Sequence, residues 1–464
     1  MNGLPQHNDD RKALHDVGLD PDLRYLVLGL GITGLSAVQY LARHGLQVAV
    51  ADTREAPPGL EQLRESYPDV AVFTGPFSDD VAEHADCLVV SPGICVRETP
   101  VVRARDKGAE IIGDVELFAR AVDKPVIGIT GTNGKSTVTT LVGDMAAEAG
   151  YKVKVGGNLG APALDLLAEP ETELYVLELS SFQMETTDSL RPLVATVLNL
   201  SEDHMDRYDS FDDYVAAKSK LVRSAGKRLG NREDPLALAL GADNTFGLDA
   251  PESPESWGLV SDERGETWLA KGNSLLLKAS ELRVPGRHNL SNALAAMALA
   301  DMAGAGGIHI PVEAMIKVLR GFNGLHHRTE WVGEFNGVRW FNDSKGTNLG
   351  ATIAAVQGMP GPLILVLGGD GKGADFQPLV DALGDSVKGV ILFGRDGGLI
   401  GELIGDRIPT RRANSLESLV DTAKSWAMPG DSVLFSPACA SFDMFPNYAR
   451  RGDEFKRVVR ERCS

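Results

Sequence analysis

The stretch Pro125-Val-Ile-Gly-Ile-Thr-Gly-Thr-Asn-Gly-Lys-Ser-Thr137 leaves its part of the chain few folds to choose from. Val126, Ile127 and Ile129 form a β-branched run that reads as a buried parallel strand. The run breaks at Gly131 into a loop, and apolar residues then return with helical spacing at Val138, Leu141, Val142 and Met145. Strand, small-residue loop and helix together aim backbone N–H groups and a helix N-terminus at phosphates. Lys135 is placed to reach the outer phosphates, and the Ser136 hydroxyl to ligate Mg²⁺. The candidate loop is Thr130, Gly131, Thr132, Asn133, Gly134, Lys135, Ser136 and Thr137. It is tighter than the G-x-x-x-x-G-K-[ST] spacing, because Ile129 stands where the first glycine would. A chance Gly-Lys-Ser on a surface loop is the bland alternative, and the flanking strand and helix weigh against it.

At 464 residues the chain exceeds one hydrophobic core, and about three domains are expected. A net charge of −18 without any basic run argues against nucleic acid or an anionic membrane as partner. Cys87, Cys95, Cys439 and Cys463 lack metal-ligand spacing and read as reduced thiols of a cytoplasmic protein. The N-terminal extension, 1–22, is polar and acidic with no apolar core over Met1 to Asp20, unlike a signal peptide or anchor, and is expected to be loose. No apolar run approaches the ~20 residues of a membrane span.

The first domain is expected over 23–113. A hydrophobic strand runs into Gly29-x-Gly31-x-x-Gly34, and a second strand ends on Asp52 roughly 20 residues beyond, the pattern of a dinucleotide site. That pattern alone suggests an NAD-dependent oxidoreductase. Asp52-Thr53-Arg54, with two hydrogen-bonding groups and a cation, is unusual for plain NAD, so another nucleotide stays open. A third strand ends in the polar turn Ser91-Pro-Gly93, facing the crevice where open α/β sheets bind ligands.

The central domain is expected over 114–324. One strand delivers Glu178 near its carboxyl end, and another, Val194–Leu200, leads straight to His204. Carboxyl ends of neighbouring parallel strands share one edge, so Lys135, Ser136, Glu178 and His204 should converge there. A carboxylate and an imidazole beside phosphates suit Mg²⁺, which takes few protein ligands. Taken singly, Glu178 reads as a capped surface acid and His204 as a loop histidine. By periodicity, Lys218 and Lys220 on the next helix are ordinary solvated lysines. From about Arg223 to Arg283 the pattern weakens into what reads as a small antiparallel hairpin region. Asn289 and Asn292 stand at the start of an alanine-rich helix, where capping is the bland reading. The third domain, 325–464, again alternates strands with helices, implying a second doubly wound sheet. Its strand ends carry Asp343, Lys345, Thr347 and Lys372; the lysines and the hydroxyl suit an anionic substrate, although a lysine on a loop is usually just solvated.

In order along the chain, Gly-Leu-Gly-Ile-Thr-Gly34, Asp-Thr-Arg54, the phosphate loop, Gly-Gly-Asn-Leu-Gly160 and Leu-Glu-Leu-Ser-Ser-Phe-Gln183 form a specific set. Glu-Asp-His-Met-Asp-Arg-Tyr208, Asp-Ser-Lys-Gly-Thr-Asn348, Gly-Gly-Asp-Gly-Lys372 and Ser-Pro-Ala-Cys-Ala-Ser441 complete it. From about Leu23 onward the chain resembles the Mur ligases of bacterial peptidoglycan synthesis, most closely those that add D-glutamate. The resemblance implies a fold of three α/β domains: a Rossmann-like uridine-nucleotide domain, a P-loop ATPase-type domain with a parallel sheet, and a Rossmann-like amino-acid domain. It implies a cytoplasmic, monomeric ligase whose substrates are ATP, UDP-N-acetylmuramoyl-L-alanine and D-glutamate. By resemblance, Ile32, Thr33, Asp52, Thr53, Arg54 and Gly93 hold the uridine nucleotide, with Asn158 and His204 at the muramoyl-alanine end. Asn289, Asn292, Arg328 and Asp343 match adenosine contacts, and Lys345, Thr347, Lys372, Ser441, Phe442 and Tyr448 match the amino-acid site. Lys218 matches a lysine that the family carbamylates with CO2, and Ser136, Glu178, His204 and that carbamate would serve two Mg²⁺ sites. A Mur-type ligase of other amino-acid specificity, the NAD-dependent oxidoreductase and a non-catalytic nucleotide-gated binding protein are the competing readings.

Overall fold

The computed structural model describes residues 14, 18–77, 82–205, 207–359 and 361–463. The chain divides into two compact units, Met1–Leu259 with Ala270–Ser274 and Leu294–Ile316, and Val260–Leu269 with Leu275–Ala293 and Lys317–Ser464.

The first unit holds two sheets. The N-terminal one comprises β1 (Arg24–Leu28), β2 (Gln47–Asp52), β3 (Ala71–Thr74), β4 (Cys87–Val90) and β5 (Glu110–Ile112). Its order is β3-β2-β1-β4-β5 and every pair is parallel. Side chains alternate between two cores: Tyr25, Val27, Val50 and Val89 on one face, Leu26, Leu28, Ala51 and Val90 on the other. Burial on both faces is why β4, and β1 after its exposed Arg24, are apolar. The chain builds outward from β1 in one direction and then from β4 in the other, so the loops after these two strands diverge and leave a crevice.

The central sheet contains β6 (Val126–Thr130), β7 (Val153–Gly157), β8 (Leu174–Glu178), β9 (Val194–Val197), β10 (Lys227–Asn231) and β11 (Asn244–Phe246). These run β11-β10-β9-β6-β8-β7, all parallel, with β6 in the middle and wholly buried. The helix Lys135–Glu148 connects β6 to β7, and Phe211–Arg223 connects β9 to β10. The start of the stretch expected to be antiparallel is instead parallel, because β10 and β11 extend the parallel sheet. Lys227-Arg-Leu-Gly-Asn231 hides this, since Leu229 is its one apolar side chain. The strands β12 (Trp257–Ser261), β13 (Thr267–Lys271) and β14 (Ser274–Lys278) follow as successive neighbours.

The second unit's sheet contains β15 (Glu330–Phe335), β16 (Val338–Asn342), β17 (Leu363–Gly368), β18 (Val387–Phe393), β19 (Thr410–Arg412) and β20 (Ser432–Phe435). Its order is β15-β16-β20-β17-β18-β19, parallel except for the β15–β16 hairpin. That hairpin turns on Asn336-Gly337, both with positive φ (53° and 75°), as a tight two-residue turn requires.

Most of the expected loose extension lies outside the described residues, but its described end is packed. Leu14 and Leu19 are buried in the first core, and the Asp20 N–H donates to the Tyr25 hydroxyl at 2.9 Å. Among the described residues no helix is long and apolar enough to cross a membrane.

Candidate active site

The parallel register of the central sheet brings the functional strand ends to one edge. Ile129 of β6 lies beside Glu178 of β8, Thr130 beside Val197 of β9, and Gly157 of β7 beside Glu178. The phosphate loop leaves β6 at that edge. Gly131 and Gly134 have φ of 146° and 82°, and a Cβ on Gly131 would lie 3.0 Å from Leu198 Cβ and 3.2 Å from the Asn199 nitrogen. Only a residue without a Cβ fits there unstrained. Gly134 is also the N-cap of Lys135–Glu148, which places Ser136 and Thr137 in the helix's first turn.

Two ammonium groups converge on this loop. Lys135 Nζ donates to the carbonyls of Gly131 and Thr132 at 2.8 and 2.9 Å, and Lys218 Nζ donates to the Gly131 carbonyl at 2.9 Å. Lys218 is 2% exposed, which overturns the expectation of a solvated side chain, whereas Lys220 is half-exposed and pairs with Asp188 at 2.9 Å. Burial, reinforced by the charge of Lys135, pulls the Lys218 ammonium down to about 7, while Asp203 and Glu178 act the other way. Near neutrality a large share of Lys218 is then the free amine.

Glu178 is 3% exposed. Its Oε1 accepts from Asn158 Nδ2 at 2.7 Å, whereas Oε2 has no partner. A buried carboxylate oxygen without a donor is costly unless a cation meets it. The oxygen and the loop hydroxyls are hard donors of the kind that Mg²⁺ takes. No three His, Cys, Asp or Glu side chains cluster as a metal site among the described residues. His204 lies on the same margin: its ring is 4.8 Å from that of Phe182, which follows Glu178 by one turn of chain.

Next to this edge, a cavity of about 500 Å³ opens at the crevice of the N-terminal sheet. Ile32, Thr33, Asp52, Thr53, Arg54, Gly93 and Asn158 all line it, joined by Ser91, from the polar turn expected to face the crevice, and by Gln183, to which the sequence reading gave no role. His204 does not line it. Gly34 is essential to the crevice's shape, because a Cβ there would stand 1.8 Å from the Gly29 carbonyl oxygen. Asp52 Oδ1 accepts from the N–H and Nε of Arg54, both at 2.8 Å, and Oδ2 accepts from the Leu30 N–H at 2.7 Å and Arg54 Nη2 at 2.6 Å. Burial would raise this carboxyl, but the Arg54 and Leu30 hydrogen bonds outweigh it and hold it down to about 2. Its roughly four lone-pair sites are all used by the protein itself in this arrangement. The oxidoreductase reading leaves the phosphate loop on the central sheet without a task.

In the second unit the strand ends also share one edge. Lys345 lies 5.6 Å over the Tyr448 ring, and Lys372 5.6 Å over that of Phe442. Backbone pairing of Asp370 with Ala440 joins the Lys372 turn to buried Ser441, and Thr347 turns back on Lys345 (N–H to O, 2.8 Å). Asp343 accepts from the Thr329 N–H at 3.0 Å and the Ser436 hydroxyl at 2.6 Å, and burial pushes it up to about 6 against the pull of its hydrogen bonds and the Arg328 charge. Asn289 and Asn292 lie inside the helix Arg287–Met302 rather than at its cap, and Asn289 Nδ2 donates back to the Pro285 carbonyl at 2.7 Å.

Asn199 escaped the sequence reading. Its side chain accepts from the Asn133 N–H at 2.7 Å and donates to the Asn133 carbonyl at 3.0 Å, bracing the phosphate loop from β9. Its place just beyond a buried parallel strand was the available signal.

Three family models match the chain in sequence: the Mur ligase MurD-like N-terminal domain over 23–113, the Mur ligase middle domain over 129–300 and the Mur ligase glutamate ligase domain over 327–439. The UDP-N-acetylmuramoylalanine–D-glutamate ligase of Marinobacter nauticus is 49% identical over 445 residues, spanning 94% of this chain and 98% of that one. The enzyme of the same name from Nitrosococcus oceani is 48% identical, spanning 94% and 96%. Among solved structures, UDP-N-acetylmuramate-alanine ligase MurC from Thermotoga maritima shares the fold at a TM-score of 0.57 and 21% identity, covering 95% of this chain and 99% of that one. A pseudomurein peptide ligase type C from Methanothermus fervidus does so at 0.53 and 20%, covering 96% and 100%. A phosphate loop beside a nucleotide-sized crevice, near full-length likeness to its relatives and three matching domains in order make this chain a member of the Mur ligase family.

Proposed function

We propose that the chain is an ATP-dependent amide ligase that joins D-glutamate to the L-alanine carboxylate of UDP-N-acetylmuramoyl-L-alanine, in cytoplasmic synthesis of peptidoglycan precursors. The name carried by relatives at 48–49% identity supports the specificity. The observation that carries the chemistry is Asn158: it lines the cavity, and its amide holds the Glu178 carboxylate at the phosphate-loop edge. A nucleotide-sugar seated in the cavity thus extends toward the phosphates of ATP.

Amide formation from a carboxylate is uphill in water, so the carboxylate must first acquire a leaving group. Transfer of the γ-phosphoryl group of ATP to the alanine carboxylate gives an acyl phosphate and ADP. The amine of D-glutamate then adds to the carbonyl carbon, loses a proton, and the tetrahedral adduct expels phosphate. Lys135 and the loop N–H groups neutralise the charge that spreads over the phosphoryl oxygens during transfer. Mg²⁺, held by Ser136, Glu178, His204 and a carbamylated Lys218 and proposed at two sites, supplies further charge neutralisation when bound. Carbamylation needs the uncharged amine, and the buried position of Lys218 supplies it. Asn289, Asn292, Arg328 and Asp343 are assigned to adenosine, and Lys345, Thr347, Lys372, Ser441, Phe442 and Tyr448 to D-glutamate. Water must be kept out while the acyl phosphate exists. The enzyme is taken to act as a monomer.

The test is phosphate release with ATP, Mg²⁺ and UDP-N-acetylmuramoyl-L-alanine, comparing D- with L-glutamate. Release that depends on the D-isomer is expected; equal rates with both, or faster release with L-alanine or a diamino acid, would overturn the specificity.

A further inference from the structure

Arg207 sits between the two loops that the reaction must bring into agreement. Its Nη1 donates to the Pro92 carbonyl at 2.8 Å, and its Nη2 to the Ile94 carbonyl at 2.9 Å and Glu185 Oε2 at 2.9 Å. Pro92 and Ile94 flank Gly93 and form one wall of the nucleotide cavity. The guanidinium lies 4.1 Å from the Phe182 ring, and that ring also neighbours those of His204 and Tyr208. Arg207 and Glu185 are only 10% and 9% exposed at their side chains. The Arg207 N–H donates to the His204 carbonyl at 2.9 Å, closing a turn in which His204 has a positive φ of 57°. A non-glycine residue in that region persists only where its surroundings hold it. Arg97, from the same N-terminal loop, donates to the Arg207 carbonyl.

We propose that Arg207 is a positioning residue that ties the Pro92–Ile94 wall of the nucleotide-sugar cavity to the loop carrying His204. The planar guanidinium is suited to this, since it serves three oxygens in fixed directions while stacking on Phe182, which an ammonium cannot do. The inference rests on the reading of the cavity as the nucleotide-sugar site. Filling the cavity and placing His204 then become one event, although His204 is not part of the cavity wall.

The experiment compares wild type with Arg207→Met, Arg207→Lys, Arg207→Ala and Glu185→Gln by phosphate release and by calorimetric titration with UDP. Arg207→Met should lower kcat ~100-fold and raise KM for the nucleotide-sugar ~10-fold, with KM for ATP within about twofold. Arg207→Lys should fall between, and guanidinium salts should restore part of the rate of Arg207→Ala. Kinetic constants of Arg207→Met within twofold of wild type overturn the proposal. So does an equal rise in every KM together with a lower melting temperature, which marks a purely structural role. If Arg207→Met does not fold, Glu185→Gln decides: a smaller loss with the same KM pattern supports the proposal, and wild-type constants overturn it. Absence of phosphate release by the wild type sinks the proposed function instead. UDP affinity then still judges Arg207, with weaker binding to Arg207→Met as support and equal binding as refutation.

Discussion

Asp114 offers a measurement in which a single buried charge sets the pH dependence of stability. It opens the helix Asp114–Ala121 directly after β5, is 2% exposed, and neither carboxylate oxygen has a hydrogen-bond partner. Burial pushes its carboxyl from 3.8 up to about 6, tempered by the nearby Gln183 side chain and the N–H groups at the helix start. The folded chain therefore binds this proton more tightly than the unfolded chain. Between pH 4 and 6 folding takes up protons, so stability falls as pH rises through that window and levels off above it. A shift of about two pH units corresponds to ~3 kcal/mol. Asparagine carries no charge at any of these pH values. Replacing Asp114 by Asn adds a buried amide whose own cost, ~1–3 kcal/mol, does not change with pH. The stability of Asp114→Asn relative to wild type should consequently improve by ~2 kcal/mol between pH 4 and pH 7, whatever the constant offset. Urea titrations at half-unit intervals of pH, followed by circular dichroism, read this difference directly. Parallel pH profiles for the two proteins would refute the reasoning, because they would mean that Asp114 titrates alike in the folded and unfolded chains.

Lys135→Ala should abolish phosphate release while leaving nucleotide-sugar binding largely intact, and a near-normal rate would remove Lys135 from phosphoryl transfer. Lys218→Ala should lose activity that short-chain carboxylates partly restore by standing in for the carbamate; no loss, or no rescue, counts against a carbamylated ligand. Gly34→Ala forces a Cβ into the Gly29 carbonyl and should destabilise the N-terminal sheet by more than ~3 kcal/mol, so an unchanged melting curve would contradict the tight helix–strand approach. Lys456→Met strands Glu330, its partner at 2.9 Å in a buried pair, and should cost ~3–5 kcal/mol in the second unit; a loss under 1 kcal/mol by urea titration would show the pair to be solvent-screened.

Local rules were enough to read the strand–loop–helix units. Alternation and apolar runs placed β1, β6, β8, β16 and β17, and the parallel-sheet rule alone put Glu178 and Lys135 on one margin, as the register of β6 with β8 does. Lys218 shows where such reading stops. Tyr214, Ala217, Lys218, Leu221 and Val222 form one buried stripe of the helix Phe211–Arg223. By periodicity Lys218 is expected in solvent, yet it stands four residues after Tyr214 and three before Leu221, on the buried face. Only the packing of that helix against the sheet reveals that a lysine is desolvated beside another cation. Asn199 and Arg207 are alike in this respect: Asn199 braces a loop 66 residues away, and the cavity-wall carbonyls that Arg207 meets lie 113 and 115 residues away in the chain.

The amino-acid order by itself determined which segments become strands, which strand ends carry polar groups, and that a phosphate loop follows β6, because each of these depends on neighbours within a few residues. Tertiary structure decided the charge state of Lys218, the saturation of Asp52 by its own chain and the bridging of two loops by Arg207. Those properties arise from the dielectric and the donors that distant segments supply, and no local pattern encodes the distance at which two such segments meet.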